Sequence, residues 1–158
     1  MTSESDELSI AQATDCVRLF HRRIGAPVAN APTLLRGHPA KTVAATILVG
    51  RLRKHLLQTA DGNKDIVICR VAMVLEELAE WLQAHANTDV VGAADAIADR
   101  FYLLLGDAVA TGLPLTDLFR EIHRSNMTKL VAVHTGVGKG VKGLGYERPR
   151  IAKVLARI

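Results

Sequence analysis

The residues best suited to chemistry in this chain are three glutamates, Glu76, Glu77 and Glu80. They follow a run, residues 66–75, that is apolar at every position except Arg70. Helix positions three and four apart share a face, so these carboxylates are expected to point the same way. Crowding beside an apolar surface raises their pKa values, because the charged forms lose solvation and repel one another. A divalent cation relieves this cost, and magnesium prefers such hard oxygen ligands, with manganese as an alternative.

A second acidic pair, Asp95 and Asp99, follows at a distance that could complete the site. Residues 89–111 read as a helix that ends before Gly112, and the two aspartates share a face because they are four apart. The candidate N-caps are Asn87, Thr88 and Asp89. The short link before this helix predicts an antiparallel hairpin that brings the two acidic faces together. The pattern therefore predicts an all-carboxylate magnesium site.

The motif Glu76-Glu77-x-x-Glu80, followed one hairpin later by an acidic pair ending in Asp99, resembles the MazG-like all-α nucleoside triphosphate pyrophosphohydrolases. Arg70, six residues before Glu76, fits the same pattern. Further segments resemble the phosphoribosyl-ATP pyrophosphohydrolase-like branch: Val17-x-x-Phe20-His21-x-x-Ile24-Gly25-x-Pro27, Ile122-His-Arg-Ser-Asn-Met-Thr-Lys129 and Gly143-Leu-Gly-Tyr-Glu-Arg-Pro149. The resemblance runs from Val17 to the C-terminus, with an apparent insertion near residues 41–64. Each motif alone is weak, and their order along the chain makes the match specific.

The resemblance implies a magnesium-dependent hydrolase that splits a nucleotide between its α- and β-phosphates. It assigns the metal to Glu76, Glu77, Glu80 and Asp99. One position departs from the family pattern, Glu-x-x-Asp, because Ala96 stands three residues before Asp99. Asp95 is the neighbouring acid and is expected to replace the missing ligand. If it does not reach the metal, the chain is a degenerate member that binds without turnover.

Substrate contacts are expected from basic and amide side chains. The resemblance implies that Asn126 and Lys129 contact the nucleotide or its phosphates. Arg70 has two open interpretations, a phosphate contact or a structural ion pair, while Asp107 on the flank of the aspartate face is interpreted as a surface residue. The glycine-rich stretch that follows adds two mobile candidates that could close over phosphates, Lys139 and Lys142. Glu77 is the preferred acceptor of the attacking water's proton, with Lys129 steadying phosphate oxygens.

Length and composition are consistent with this interpretation. The chain has 158 residues, 49% of them hydrophobic and only 4% aromatic, so one helical domain with an Ala, Val, Leu and Ile core is expected. Its longest apolar run is too short for a membrane span, and its acidic start is unlike a secretory leader. Cys16 and Cys69 have no metal-binding spacing and are expected to be free, half-buried thiols. We therefore expect a cytoplasmic protein.

The periodicities predict an all-α bundle of five to six helices. Residues 1–8 form a flexible acidic start. The first helix ends at Gly25, a second covers residues 41–59 after a loop at 29–39, and residues 61–63 form a turn. Pro114 opens the helix after the aspartate helix, residues 130–148 form a glycine-rich basic loop, and residues 149–158 form a last short helix.

The expected partners are a nucleotide and further copies of the same chain. A helix apolar on all sides should be buried, and residues 66–75 are therefore the expected core and interface material of a homodimer or higher homo-oligomer. The basic stretches leave nucleic-acid binding as an alternative, with the acidic residues structural. Trp81 could stack on a base, although core packing is the commoner role of such a residue.

Overall fold

The computed structural model describes residues 8–59, 64–131 and 139–157. Within them lie six helices: α1 (Ile10–Ile24), α2 (Pro39–Thr59), α3 (Ile66–Ala86), α4 (Val90–Thr111), α5 (Leu115–Asn126) and α6 (Ile151–Leu155). No strand occurs in these ranges, and an isolated bridge pairs Leu130 with Val141. The all-α prediction is confirmed. The turn expected at 61–63, most of the acidic start and part of the basic loop lie outside the described residues.

Helix boundaries follow the capping signals in the sequence. At the start of α1, Ser9 and Gln12 form a reciprocal capping box, and Gly25 ends the helix at φ 70°. Asp89 caps α4 by accepting a hydrogen bond from the Gly92 N–H, and Gly112 ends it, so both expected boundaries are confirmed. The second helix begins at Pro39 rather than at residue 41, since proline is accepted in a first helical turn.

The described residues group into two compact units, Ala31–Gly112 and the pair Met1–Asn30 with Leu113–Ile158. In Ala31–Gly112, α3 packs against both α2 and α4, and the three-residue link from Asn87 to Asp89 makes α3 and α4 an antiparallel hairpin. The buried side chains of this unit are small: Ala72, Ala84, Ala93 and Ala96. Small side chains at a helix contact allow a short interaxial distance, so the hairpin is closely packed. The prediction of a single domain remains a prediction.

Residues 66–75 differ from the expectation of burial on all sides. Ile66 and Val67 are 75% and 71% exposed, and only Ala72 of this run is buried. An apolar run describes the composition of one helix only. Whether that helix is buried depends on which other elements pack against it. Cys16 and Cys69 are both half-buried, as expected. No helix in the described ranges combines the length and apolarity that a membrane span requires.

In the unit formed by Met1–Asn30 and Leu113–Ile158, hydrogen bonds that involve charged side chains connect residues 147–150 to α5. Arg124 donates to both carboxylate oxygens of Glu121, at 2.8 and 3.0 Å, and to Glu147 at 2.6 Å. The backbone N–H of Arg150 donates to Glu121 at 2.6 Å. Ser125 is buried and donates its hydroxyl hydrogen to the Glu147 carbonyl at 2.7 Å. Bidentate arginine pairs of this kind are specific in geometry as well as strong.

This network makes stability depend on pH. The hydrogen bonds from the Arg124 side chain and the Arg150 backbone lower the pKa of Glu121 from 4.5 to about 2. The ionised group therefore stabilises the fold above pH 4.5, and this contribution is lost as pH falls from 4.5 towards 2. We expect Glu121→Gln to lower Tm at neutral pH and to have little effect near pH 2.

Thermal unfolding followed by circular dichroism across this pH range measures the effect. Asp117→Asn is the matched control on the same helix, because the Asp117 side chain is 59% exposed and 3.7 Å from Arg120. Exposed pairs contribute little, so this variant should keep the wild-type Tm. Equal Tm values for Glu121→Gln and the wild type at neutral pH would show that the network does not stabilise the fold.

Candidate metal and nucleotide site

Helices α3 and α4 carry all five carboxylates predicted to bind metal. Glu76 and Glu77 are half-buried on α3, and Glu80 is exposed one turn further along. On α4, both Asp95 and Asp99 are exposed. The sequence therefore assigned these acids to the correct two helices of one hairpin, within the unit Ala31–Gly112.

Glu77 is the electrostatic centre of this group. Its pKa is raised above the ordinary value of 4.5, first by burial and then by the neighbouring acids, in decreasing order Glu80, Asp99, Glu76 and Asp95. One of its carboxylate oxygens, Oε2, is buried and has no hydrogen-bond partner among the described residues. A buried acceptor without a donor is costly, particularly when it carries charge. The four other predicted ligands thus all act on Glu77.

Glu76 has a cation of its own. Arg53 of α2 donates from Nη2 to Glu76 Oε2 at 2.7 Å, and both side chains are half-buried. Nothing local in the sequence predicted this role for Arg53. Because its partner lies 23 residues away, the pair was predictable only from the packing of α2 on α3.

Arg70 takes the structural alternative. Its Nε donates to Asp107 Oδ1 at 2.6 Å, and its Nη2 donates to the Leu103 carbonyl at 2.7 Å. Gly106 makes this approach possible, since a Cβ there would lie 2.9 Å from Nη2 of Arg70. The Asp107 side chain is 44% exposed, so its interpretation as a surface residue is compatible with this ion pair. Asp107 is half-buried and holds the guanidinium that joins α3 to α4.

Ala96 stands at the position where the family that the sequence resembles carries glutamate. It is only 1% exposed. Ala96 is thus among the buried positions of α4, whereas Asp95 and Asp99 on either side of it are exposed. Burial accounts for a small apolar residue here, since a carboxylate at this position would lose its hydration. The acids available on α4 near Glu77 are therefore Asp95 and Asp99.

The carboxylates fit magnesium in chemistry but do not enclose an ion as they stand. Within residues 8–59, 64–131 and 139–157, no three His, Cys, Asp or Glu side chains are placed to hold a metal together. The unpartnered, buried Oε2 of Glu77 and the mutual repulsion of its neighbours are nevertheless the properties that a divalent cation would relieve. Binding would require side-chain rotation.

The other predicted substrate residues belong to the unit formed by Met1–Asn30 and Leu113–Ile158. Asn126 is the half-buried last residue of α5, and its carbonyl accepts the Lys129 N–H at 3.0 Å. The Lys129 ammonium makes no ion pair with any residue that the structure describes. Lys139 and Lys142 are exposed, and the Lys142 ammonium lies 5.1 Å from the Tyr146 ring centroid. Their roles in binding substrate remain predictions.

Residues 57–126 match the family model for phosphoribosyl-ATP pyrophosphohydrolase. The matched segment contains the whole α3–α4 hairpin with its five carboxylates. The match is consistent with the MazG-like all-α pyrophosphohydrolase superfamily and confirms the resemblance found in the sequence. Comparison with curated proteins and with solved structures gives no match.

Replacing each of the two adjacent glutamates by glutamine should change the thermal stability of the metal-free protein in opposite directions. The raised pKa of Glu77 means that its contribution to stability is full below pH 4.5 and is lost as pH rises through the folded value. Glu77→Gln should therefore raise Tm at neutral pH, by about 2–4 °C for each ~1 kcal/mol gained. Glu76→Gln should lower Tm, because Arg53 then keeps a half-buried charge without its partner.

Thermal unfolding in chelator at neutral pH measures both changes, and each variant controls for the effect of an amide at the other position. Repeating the scans below about pH 4, where Glu77 is protonated in both states, should abolish the gain in Glu77→Gln. A lower Tm for Glu77→Gln at neutral pH would contradict the view that this carboxylate is held at a cost to the fold.

Proposed function

We propose that this protein is a magnesium-dependent nucleotide pyrophosphohydrolase that converts a nucleoside triphosphate or a related nucleotide to its monophosphate and pyrophosphate. The observation that carries the proposal is Glu77, a half-buried carboxylate with one unpartnered oxygen and four further acids raising its pKa. A fold selected for stability alone would not gather these charges beside a buried oxygen. The match of residues 57–126 supports the class of reaction.

The predicted site residues have three separate roles in the proposed reaction: metal binding, proton acceptance and contact with phosphate. Glu76, Glu77, Glu80 and Asp99, with Asp95, would hold magnesium, which offsets phosphate charge and orients water when bound. A raised pKa suits Glu77 to accept the proton of the attacking water, since a base works best when its pKa lies near the working pH. Lys129 would steady phosphate oxygens through an ammonium that is not engaged elsewhere among the described residues.

A second candidate function is binding without turnover. The observation in its favour is Ala96, which is buried where the resembling family supplies a ligand. If Asp95 cannot replace that ligand, the site would bind metal and nucleotide but release no product. Calorimetric binding of magnesium and a nucleotide in the absence of pyrophosphate release would support this function.

We further propose a cytoplasmic homodimer or higher homo-oligomer. Its support is an open apolar cavity of about 490 Å³ between α3 and α4, lined in part by the exposed side chains of Ile66, Val67 and Val71. Exposed apolar surface of this kind is often covered by another protein chain.

Pyrophosphate release from a panel of ribo- and deoxyribonucleoside triphosphates and phosphoribosyl-ATP tests the main proposal. We expect turnover with magnesium, none with chelator, and a loss of at least about 100-fold in Glu80→Gln, because the site loses a ligand charge. Asp117→Asn on α5 removes a carboxylate that is not among the predicted ligands, so this variant should keep wild-type rates. Turnover that survives chelator or is unchanged in Glu80→Gln would refute the proposed site.

Asp95 provides a sharper test of the same site. If Asp95 supplies the ligand missing at Ala96, Asp95→Asn should reduce kcat nearly as much as Glu80→Gln and should raise the magnesium concentration needed for half-maximal rate. The side chain is exposed, so the variant should fold normally. Wild-type rates and metal dependence in Asp95→Asn would remove this residue from the site.

A further inference from the structure

A cavity of about 410 Å³ lies beside the tryptophan that follows the last glutamate of the acidic motif. Its walls come from the segment that precedes α2, from the start of α2 and from the C-terminal half of α3, and they include Leu35, Gly37, Thr42, Trp81, Leu82 and His85. All of these residues belong to the unit Ala31–Gly112. The volume lies in the range of ~300–1,000 Å³ that is usual for sites that bind small molecules.

Trp81, which lines this cavity, has an unused hydrogen-bond donor. Its indole Nε1 is buried and has no acceptor among the described residues. The ring itself is held, with the His85 ring centroid 4.2 Å away and the Arg100 guanidinium 5.8 Å from its centroid. A buried N–H without an acceptor is unfavourable, so a ligand whose acceptor reaches this N–H gains affinity.

His85 fixes another part of the cavity wall. Its Nδ1 donates to the Trp81 carbonyl at 2.8 Å, and its Nε2 accepts the Leu35 N–H at 3.2 Å. These two bonds define the tautomer of the imidazole and tie the segment before α2 to α3. Leu35 therefore remains against the two rings although its side chain is 55% exposed. The cavity is formed before any ligand binds.

We propose that this cavity binds the heterocyclic base of the nucleotide substrate, an inference that rests on the proposed function. Its apolar and aromatic walls suit a planar heterocycle, and the Trp81 N–H matches the ring nitrogens and carbonyl oxygens that bases present as acceptors. Trp81 is adjacent to Glu80 and one helical turn from Glu77, about 5.4 Å along the axis. The cavity and three of the five carboxylates therefore share α3.

The single tryptophan of the chain makes the cavity directly observable. Adenosine, guanosine, cytidine and uridine, with their deoxy forms, are titrated against Trp81 fluorescence without metal, and free tryptophan amide corrects for light absorbed by the bases. Nucleosides carry no phosphate, so their binding does not depend on the acidic residues. At least one nucleoside should quench or shift the emission in a saturable way.

Gly37→Leu is the blocking variant. A Cβ at Gly37 would meet only the hydroxyl of Thr42, at 3.4 Å, and Gly37 is part of the cavity wall, so a leucine here can be built and adds bulk at the cavity. Gly50→Leu is the matched control, because a Cβ at this exposed position of α2 meets nothing within 4 Å and the residue is absent from the cavity wall. We expect the fluorescence response to vanish in Gly37→Leu and to persist in Gly50→Leu.

Hydrolysis by the same proteins separates the two proposals. Loss of a base contact should raise KM about tenfold or more in Gly37→Leu with little change in kcat. If the wild type hydrolyses nucleotides but Gly37→Leu keeps the wild-type KM and fluorescence response, the base binds elsewhere and the inference is wrong, while the proposed function stands. If no nucleotide is hydrolysed but the nucleoside response vanishes only in Gly37→Leu, the cavity binds bases and the proposed function fails.

A second variant keeps the test decisive should Gly37→Leu fail to fold. Trp81→Phe retains an aromatic ring and removes the N–H donor, and its hydrolysis is compared with that of the wild type. We expect a higher KM for the preferred nucleotide and a weaker preference between bases. An unchanged KM and preference in this variant would overturn the inference.

Discussion

The close approach of α3 to α4 is the constraint on which the carboxylate site depends. A Cβ at Gly92 would lie 3.4 Å from the Ala84 side chain, and Ala84, Ala93 and Ala96 are all buried at this contact. Larger side chains would separate the helices, and the interaxial distance of packed helices follows the size of the residues between them. Small residues thus bring two acidic helices near enough for their charges to interact.

The short distance between α3 and α4 also brings like charges together, which is unfavourable for the stability of the fold. Glu77 is less than fully solvated and is opposed by four acids, whereas Glu76 beside it is neutralised by Arg53. If charge compensation alone were favoured, each half-buried acid would have such a partner. One acid with a partner and one without is the arrangement expected where binding, rather than the fold, supplies the missing positive charge.

Local sequence signals predicted the helices and their ends, because capping residues and glycines act within a few positions of the boundary that they determine. They also placed the five acids on one hairpin. They did not predict that Arg53 would pair with Glu76 or that Arg70 would engage Asp107, since each pair joins residues more than 20 positions apart. Nor could they reveal the exposure of Ile66 and Val67, because that depends on which faces of α3 the other helices leave uncovered.

The position of Arg70 explains how α4 presents its acids. Asp95, Asp99, Leu103 and Asp107 recur every four residues and so form one stripe along α4. Arg70 binds the Asp107 side chain and the Leu103 carbonyl, which prevents that stripe from turning away from α3. At the opposite end of α3, the bond from the Leu35 N–H to His85 holds the segment before α2 against the same helix. The carboxylates lie between these two fixed points, and their side chains can rotate while the backbones that carry them stay in place. Such an arrangement suits the proposed cation site, because the acids stay close together although they repel one another.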